Sequence, residues 1–194
     1  QAIRGAGSKA ALPITSLKQA VDWAYYWIAM RGMSENDFMV SEYLSGPEYA
    51  VQTFWVNGEL VHSQARQRLV YFFGSIMPSG QSSTPAVAVT VSEQEVYDTA
   101  YKSIQAIDPK PHGIYCADLK THDSGAIIPI EVNYGRFFTT SDFFATIGIN
   151  TPHAMIDYSM TGRITKAVQT IDEKIYWIRG LDKEPYLHKG ELPR

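Results

Sequence analysis

Apolar residues recur at helical spacing from residue 16 to 31, where Leu17, Ala20, Val21, Ala24 and Ile28 form one stripe. Ser16 and Gln19 supply a capping box ahead of it, and Gly32 closes it. The arrangement repeats from 93 to 107. There Val96, Ala100 and Ile104 follow the capping box Ser92 and Glu95, and Asp108-Pro109 is the stop. Shorter helices are predicted from 140 to 147, ending at Gly148, and from Pro152 to Thr161, with Thr151 as cap and Gly162 as terminator. Between the helices lie hairpins. Glu48 to Val56 and Glu59 to Arg66 flank Asn57-Gly58, a strong hairpin signal, and residues 113–120 and 126–132 flank the polar turn from His122 to Gly125. Helices interspersed with antiparallel hairpins predict an α+β fold rather than a doubly wound parallel sheet. Residues 163–194 add one strand-like run, Lys174 to Ile178, and a charged, proline-containing end, read as an extension to a domain at 1–162.

Hydrophobic residues make up 45% of the chain, aromatics 12% and charged residues 19%, which argues against disorder, collagen-like repeats and coiled coil. A net charge of -3 gives no overall attraction to nucleic acid or to an anionic membrane. Cys116 is the only cysteine, which excludes an internal disulfide and multi-cysteine zinc sites and fits a reducing compartment, the cytoplasm. Neither a spanning apolar run of about 18 residues nor the apolar stretch of a signal peptide is present. A start at Gln1, followed at once by a glycine-rich segment, suggests a piece of a longer polypeptide.

Three segments can carry chemistry. Arg4-Gly5-Ala6-Gly7-Ser8-Lys9 combines small residues, a hydroxyl and two cations. Its backbone N–H groups and charges could cradle phosphate, while the plain alternative is an exposed turn. It matches neither a Walker A loop nor a dinucleotide fingerprint. The second segment joins Asp118 to Glu131-Val132-Asn133. Glu131 and Asn133 share a strand face, and a hairpin closed through an even-numbered loop would pair Asp118 with Pro129, leaving it diagonal to Glu131 on that face. Two acids and an amide oxygen without nearby His or Cys suit Mg²⁺ or Mn²⁺, and Ile127, Ile130 and Val132 are expected to be buried around them; the alternative is a solvated sheet face. The third is Ser41 to Tyr49, an extended run turning at Ser45-Gly46-Pro47. Its main chain can read a base edge, and Glu48 can accept from ribose hydroxyls; alone it is equally an ordinary turn.

In this order the three segments resemble the ATP-grasp superfamily, most nearly its carbamoyl phosphate synthetase large-subunit-like branch, from Arg4 to about Gly162. The resemblance implies an α+β pair of sub-domains gripping ATP, with the N-terminal pre-grasp domain absent. It gives the lid to Arg4, Gly5, Gly7, Ser8 and Lys9, the adenine and ribose hinge to Glu42, Tyr43, Leu44 and Glu48, and the Mg²⁺ ions to Asp118, Glu131 and Asn133. The family's Glu-x-Asn-x-Arg reads Glu131-Val-Asn133-Tyr-Gly135-Arg136 here, so Arg136 stands one residue late, and no lysine precedes Arg4. The implied activity is that of an ATP- and Mg²⁺-dependent ligase that activates a carboxylate or carbonate as an acyl phosphate for attack by an amine or ammonia. The alternative is a non-catalytic ATP-binding module of a larger or split assembly. The implied partners are ATP and a small carboxylate, with self-association or docking to the missing domain covering exposed apolar surface.

Arg66 and Arg68 leave one face of the same strand and are candidates for clamping the carboxylate, with Arg136 beside the phosphates. Strict pairing about Asn57-Gly58 sets Glu48 opposite Gln67, so only a bulge would bring Glu48 and both arginines onto one face; otherwise they are solvated edge-strand charges. The five histidines have no metal spacing, and Cys116 reads as a small buried hydrophobe. The tryptophans and tyrosines of helix 16–31 and the strands read as core. Phe137, Phe138, Phe143 and Phe144 read as a wedge against the sheet, and Thr139 or Thr140 as a helix cap.

Overall fold

The structure is a computed structural model and describes residues 1–3, 10–77, 79–80, 82, 84–168 and 170–192. The chain divides into two compact units, Gln1–Tyr43 with Val70–Pro85, and Leu44–Leu69 with Ala86–Arg194.

In the first unit, helix α1 (Leu17–Arg31) starts at Ser16, whose hydroxyl accepts from the Gln19 N–H, and stops at Gly32 in the left-handed region at φ 64. The predicted helix forms, but its stripe does not make a core. None of its residues is buried, and Leu17 is 80% exposed. Its aromatics pack on one another instead, with the Trp23 and Trp27 rings 5.7 Å apart and the Trp23 indole donating to the Ala10 carbonyl at 2.9 Å. The core assignment for these aromatics is therefore corrected.

Among the described residues the sheet has eight strands: β1 (Glu48–Val56), β2 (Glu59–Tyr71), β3 (Pro85–Thr90), β4 (Gly113–Thr121), β5 (Ile127–Tyr134), β6 (Ala167–Val168), β7 (Ile175–Ile178) and β8 (Tyr186–Lys189). Their order is β5-β4-β1-β2-β3-β7-β8, with β6 parallel to β2 at His62 and Ser63. The residues beyond 162 thus supply three strands, of which the periodicity had indicated only β7.

Helix α2 (Gln94–Ile107) covers one face with Val96, Tyr97, Ala100 and Ile104, packed on Val51, Ala65, Ala117, Leu119 and Trp55. Its capping box does not form: Glu93 is the N-cap, without a side-chain bond, because Glu93 turns its carboxylate to the Ser92 N–H at 3.1 Å. On the opposite face Phe138, Phe143 and Phe144 pack on Ala50, Cys116 and Trp177, as the wedge reading expected. They belong to the segment leading through α3 (Ser141–Thr146) to α4 (Thr151–Thr161). Asn150, not Thr151, caps α4, accepting from the His153 N–H at 3.0 Å. Thr151 is instead buried and donates to Gln64 at 3.2 Å.

His62 lies under α4, bonded through Nε2 to the Thr165 carbonyl at 2.8 Å and facing the Thr151 hydroxyl at 3.3 Å. Burial lowers its pKa below the ordinary value of 6.5. Between the folded and unfolded values the unfolded chain binds the extra proton, so this contribution is present above pH of about 6.5 and is lost as pH falls towards the folded value. In urea melts between pH 7 and pH 5, the wild type is expected to lose stability more steeply than His62→Gln; parallel slopes would contradict this.

Candidate functional site

Two irregularities in the sheet build the polar face. The β1–β2 register shifts between Phe54 and Trp55, so Glu48 faces Arg68 and Ala50 faces Arg66. This is the bulge that strict pairing lacked. It replaces the expected Glu48–Gln67 pair. The β4–β5 register shifts between Asp118 and Leu119, so Asp118 stands directly opposite Glu131 rather than Pro129. The turn supplies the rest of the offset: the His122 N–H bonds the Ala126 carbonyl at 2.8 Å, closing an odd loop of Asp123, Ser124 and Gly125 with Gly125 at φ 88, which alone would set Asp118 against Ile130, and the bulge moves it on to Glu131.

Three rows of cross-strand partners follow. Arg68, Glu48 and Lys120 form the first; Arg66, Ala50, Asp118 and Glu131 the second; Gln64, Gln52, Cys116 and Asn133 the third. Arg68 ties two rows together. Its guanidinium donates from Nη1 to Glu48 and from Nη2 to Asp118 Oδ1 at 2.8 Å, reaching from β2 to β4 past the methyl side chain of Ala50. Its side chain is 6% exposed, against 14% for Glu48 and 13% for Asp118. Burial raises the Asp118 pKa; Arg68 opposes this, while Glu131 and Glu48 add to it.

Arg66 is buried, donating to the Thr140 hydroxyl and lying 4.4 Å over the Phe138 ring. Burial first, then Arg68, lowers it to about 9, so it is a cation at neutral pH. The Thr140 hydroxyl serves this arginine and makes no cap bond to α3. Neither arginine is a solvated edge charge, because β2 lies inside the sheet. Burial drives the Cys116 thiol up to about 12, which fits an inert core residue.

Towards the edge the site opens. Asn133 Nδ2 donates to Glu131 Oε1 at 2.7 Å, and Arg136 Nη2 lies 3.9 Å from the same oxygen. Glu131 and Arg136 are 55% and 53% exposed. Ile130 is 51% exposed and Ile127 and Val132 only half-buried, so the expected apolar burial around the acids is not found on this outer strand. Among the described residues no three His, Cys, Asp or Glu side chains form a metal cluster. The set is two carboxylates and an amide. It still fits a hard cation: like charges opposed across two strands repel, a cation between them would relieve this, and Asn133, with its N–H₂ on Glu131, keeps its Oδ1 as an acceptor.

Of the hinge residues, Glu42 and Tyr43 end the first unit, exposed, and Leu44 opens the second. Arg4, Gly5, Gly7, Ser8 and Lys9 lie outside the described residues. Gly46 seats the turn. Its N–H bonds the Thr121 carbonyl at 3.2 Å, and a Cβ there would fall 2.5 Å from that oxygen. Gly46→Ala is expected to cost about 1–3 kcal/mol in urea melts, since the backbone oxygen cannot step aside; no change would mean the turn yields freely. Lys120, Gln52 and Gln64 were not singled out from the sequence. Period-two alternation from Asp118 would have placed Lys120 on the same face.

The α+β architecture is that of the ATP-grasp fold. No protein-family model and no curated protein matches the sequence. Solved structures do. An L-amino acid ligase from Bacillus licheniformis matches with TM-score 0.61 and 13% identity over 86% of this chain and 43% of that one. A biotin carboxylase from Campylobacter jejuni matches with TM-score 0.67 and 14% identity over 90% and 40%. The biotin carboxylase domain of Hydrogenobacter thermophilus 2-oxoglutarate carboxylase, in complex with MgADP, ADP and bicarbonate, matches with TM-score 0.56 and 12% identity over 84% and 36%. The chain spans about two-fifths of the length of these structures, and at such identities the likeness is one of fold. Among the described residues no helix is long and apolar enough to cross a membrane.

Proposed function

We propose that the chain is the nucleotide-binding part of an ATP- and Mg²⁺-dependent ligase of ATP-grasp type. One observation carries the reading: Asp118, Glu131 and Asn133 share one face of adjacent strands, with Glu48 tied to Asp118 through Arg68. Its support from outside is the fold, shared with an amino acid ligase and with biotin carboxylases.

In this reading Asp118, Glu131 and Asn133 would hold Mg²⁺, which would supply positive charge to the phosphates of the nucleotide. The resemblance assigns adenine and ribose to Glu42, Tyr43, Leu44 and Glu48, and the phosphates to Arg4, Gly5, Gly7, Ser8 and Lys9. Arg136 is exposed and supplies positive charge to the phosphates from beside Glu131. A carboxylate oxygen attacks the γ-phosphorus and ADP leaves. An amine or ammonia then attacks the acyl carbon, phosphate departs, and the nitrogen gives up its proton. Carbamoyl phosphate synthetase-like chemistry on carbonate is the narrower form of this proposal.

A second reading, an ATP-binding module without turnover, is favoured by one feature. Arg66 and Arg68, the candidates for clamping a substrate carboxylate, are buried and already bonded to Thr140, Glu48 and Asp118. Calorimetric titration of ATP with and without Mg²⁺ tests the site. Mg²⁺-dependent binding by the wild type, weakened at least tenfold in Glu131→Ala, is expected; a folded wild type that binds no ATP would overturn both readings. ADP release in the presence of a carboxylate and ammonia separates the ligase from the silent module.

A further inference from the structure

The resemblance implies more than one Mg²⁺ ion at Asp118, Glu131 and Asn133, yet this face already contains a cation of its own. Three carboxylates lie within neighbouring rows: Glu48 on β1, Asp118 on β4 and Glu131 on β5. Arg68 donates to two of them at once and is almost withdrawn from solvent. Its placement depends on the bulge at Phe54 and Trp55, without which Gln67 would face Glu48. Arg66, the next residue on that face of β2, is turned to Thr140 and Phe138 and contributes no hydrogen bond to the acids. Arg136 stands 3.9 Å from Glu131, beyond hydrogen-bond length, and is half exposed.

From this arrangement we propose that the Arg68 guanidinium is a built-in substitute for one divalent ion, so that the site takes a single ion, on Glu131, Asn133 and the remaining oxygen of Asp118. The inference rests on the nucleotide-site reading above. A guanidinium is planar, permanently charged and less strongly hydrated than an ammonium, so it can stay buried between two carboxylates where a hydrated ion would need free coordination positions. Asp118 Oδ1 already accepts from the Arg68 Nη2, which takes up one of that oxygen's acceptor sites and leaves Oδ2 as the freer ligand. Asp118 and Glu131, directly opposed, still repel one another on the side away from Arg68, and one divalent ion between them would relieve that repulsion. Arg68 is thus a positioning residue: it fixes how many ions the site accepts and holds Asp118 in place for the one that binds.

The test counts Mn²⁺ bound per chain, by electron paramagnetic resonance of the free ion, with ADP present at saturation. The wild type is expected to bind one Mn²⁺ per chain, with no spin coupling between ions. Arg68→Met, which keeps the length of the side chain but removes its charge, is expected to bind two Mn²⁺, spin-coupled, and to gain more in Tm from added Mn²⁺ than the wild type does. Arg68→Lys restores a cation and is expected to return to one ion. Two coupled ions in the wild type, a count that needs no variant to fold, would overturn the proposal, as would a folded Arg68→Met that still binds one. ADP binding without any Mn²⁺ would overturn the proposal while leaving the nucleotide site standing. Absence of ADP binding would overturn the nucleotide-site reading itself.

Discussion

Replacing Arg68 with methionine is expected to lower stability by about 3–5 kcal/mol, the usual cost of removing one partner from a buried ion pair. The substitution leaves two acids, Glu48 and Asp118, with side chains 14% and 13% exposed and without the guanidinium that both of them use. Asp118 also faces Glu131 across the strand pair, so its charge is repelled as well as poorly hydrated. The measurement is urea denaturation at neutral pH. Adding Asp118→Asn to the variant should recover part of the loss, since an amide in that place carries no charge to compensate. A loss below about 1 kcal/mol, typical of exposed pairs, would mean that water reaches the bridge freely and that Arg68 organises nothing.

The same arginine shows where sequence reading reached and where it stopped. Alternation put Arg66 and Arg68 on one face of a strand, and Asn57-Gly58 located the hairpin that contains them. The partner of Arg68 was another matter. Pairing counted outward from the turn leads to Gln67 opposite Glu48, and only the shift at Phe54 and Trp55 exchanges it for Arg68. A bulge is a tertiary compromise between sheet twist and packing, with no fixed residue signature in one strand. The same limit applied at Asp118, where a loop of odd length and a bulge at Asp118 and Leu119 together turned a diagonal neighbour of Glu131 into a direct one. The face was legible; the register on it was not.

The helices divide along similar lines. The stripe of Val96, Ala100 and Ile104 is buried as its spacing required, because the sheet supplies a surface for it. The stripe of α1 has equally clear spacing and a working cap at Ser16, yet none of its residues is buried. Periodicity states that a helix has an apolar face and does not state what covers it. Capping residues show the opposite error. Ser92, Thr151 and Thr140 have the right chemistry for caps, but Thr151 and Thr140 are taken by Gln64 and Arg66, long-range partners that no local pattern contains.

Phe143→Ala is expected to cost about 3–5 kcal/mol, comparable to the loss of Arg68 but by a different route. The Phe143 side chain is fully buried, stacked on Trp177 with ring centroids 5.6 Å apart and packed on Phe144 at 4.6 Å. Truncation removes a large apolar contact and leaves a cavity between α3 and the sheet, which closes only partly because Trp177 is held in a strand. The effect should not stay in the core. Phe138, which packs with Phe144 at 5.5 Å, lies under the Arg66 guanidinium, and Thr140, three residues before Phe143, accepts its hydrogen bond. A loosened segment would free a buried arginine that has no carboxylate on its own hydrogen bonds. Urea melts measure the stability loss, and Trp177 fluorescence reports whether the stack itself is broken. The conservative Phe143→Leu should lose less, because most of the cavity is filled. If Phe143→Ala and Phe143→Leu destabilise equally, the stacked geometry matters more than the buried volume, and the segment carrying Thr140 is held by ring orientation rather than by packing.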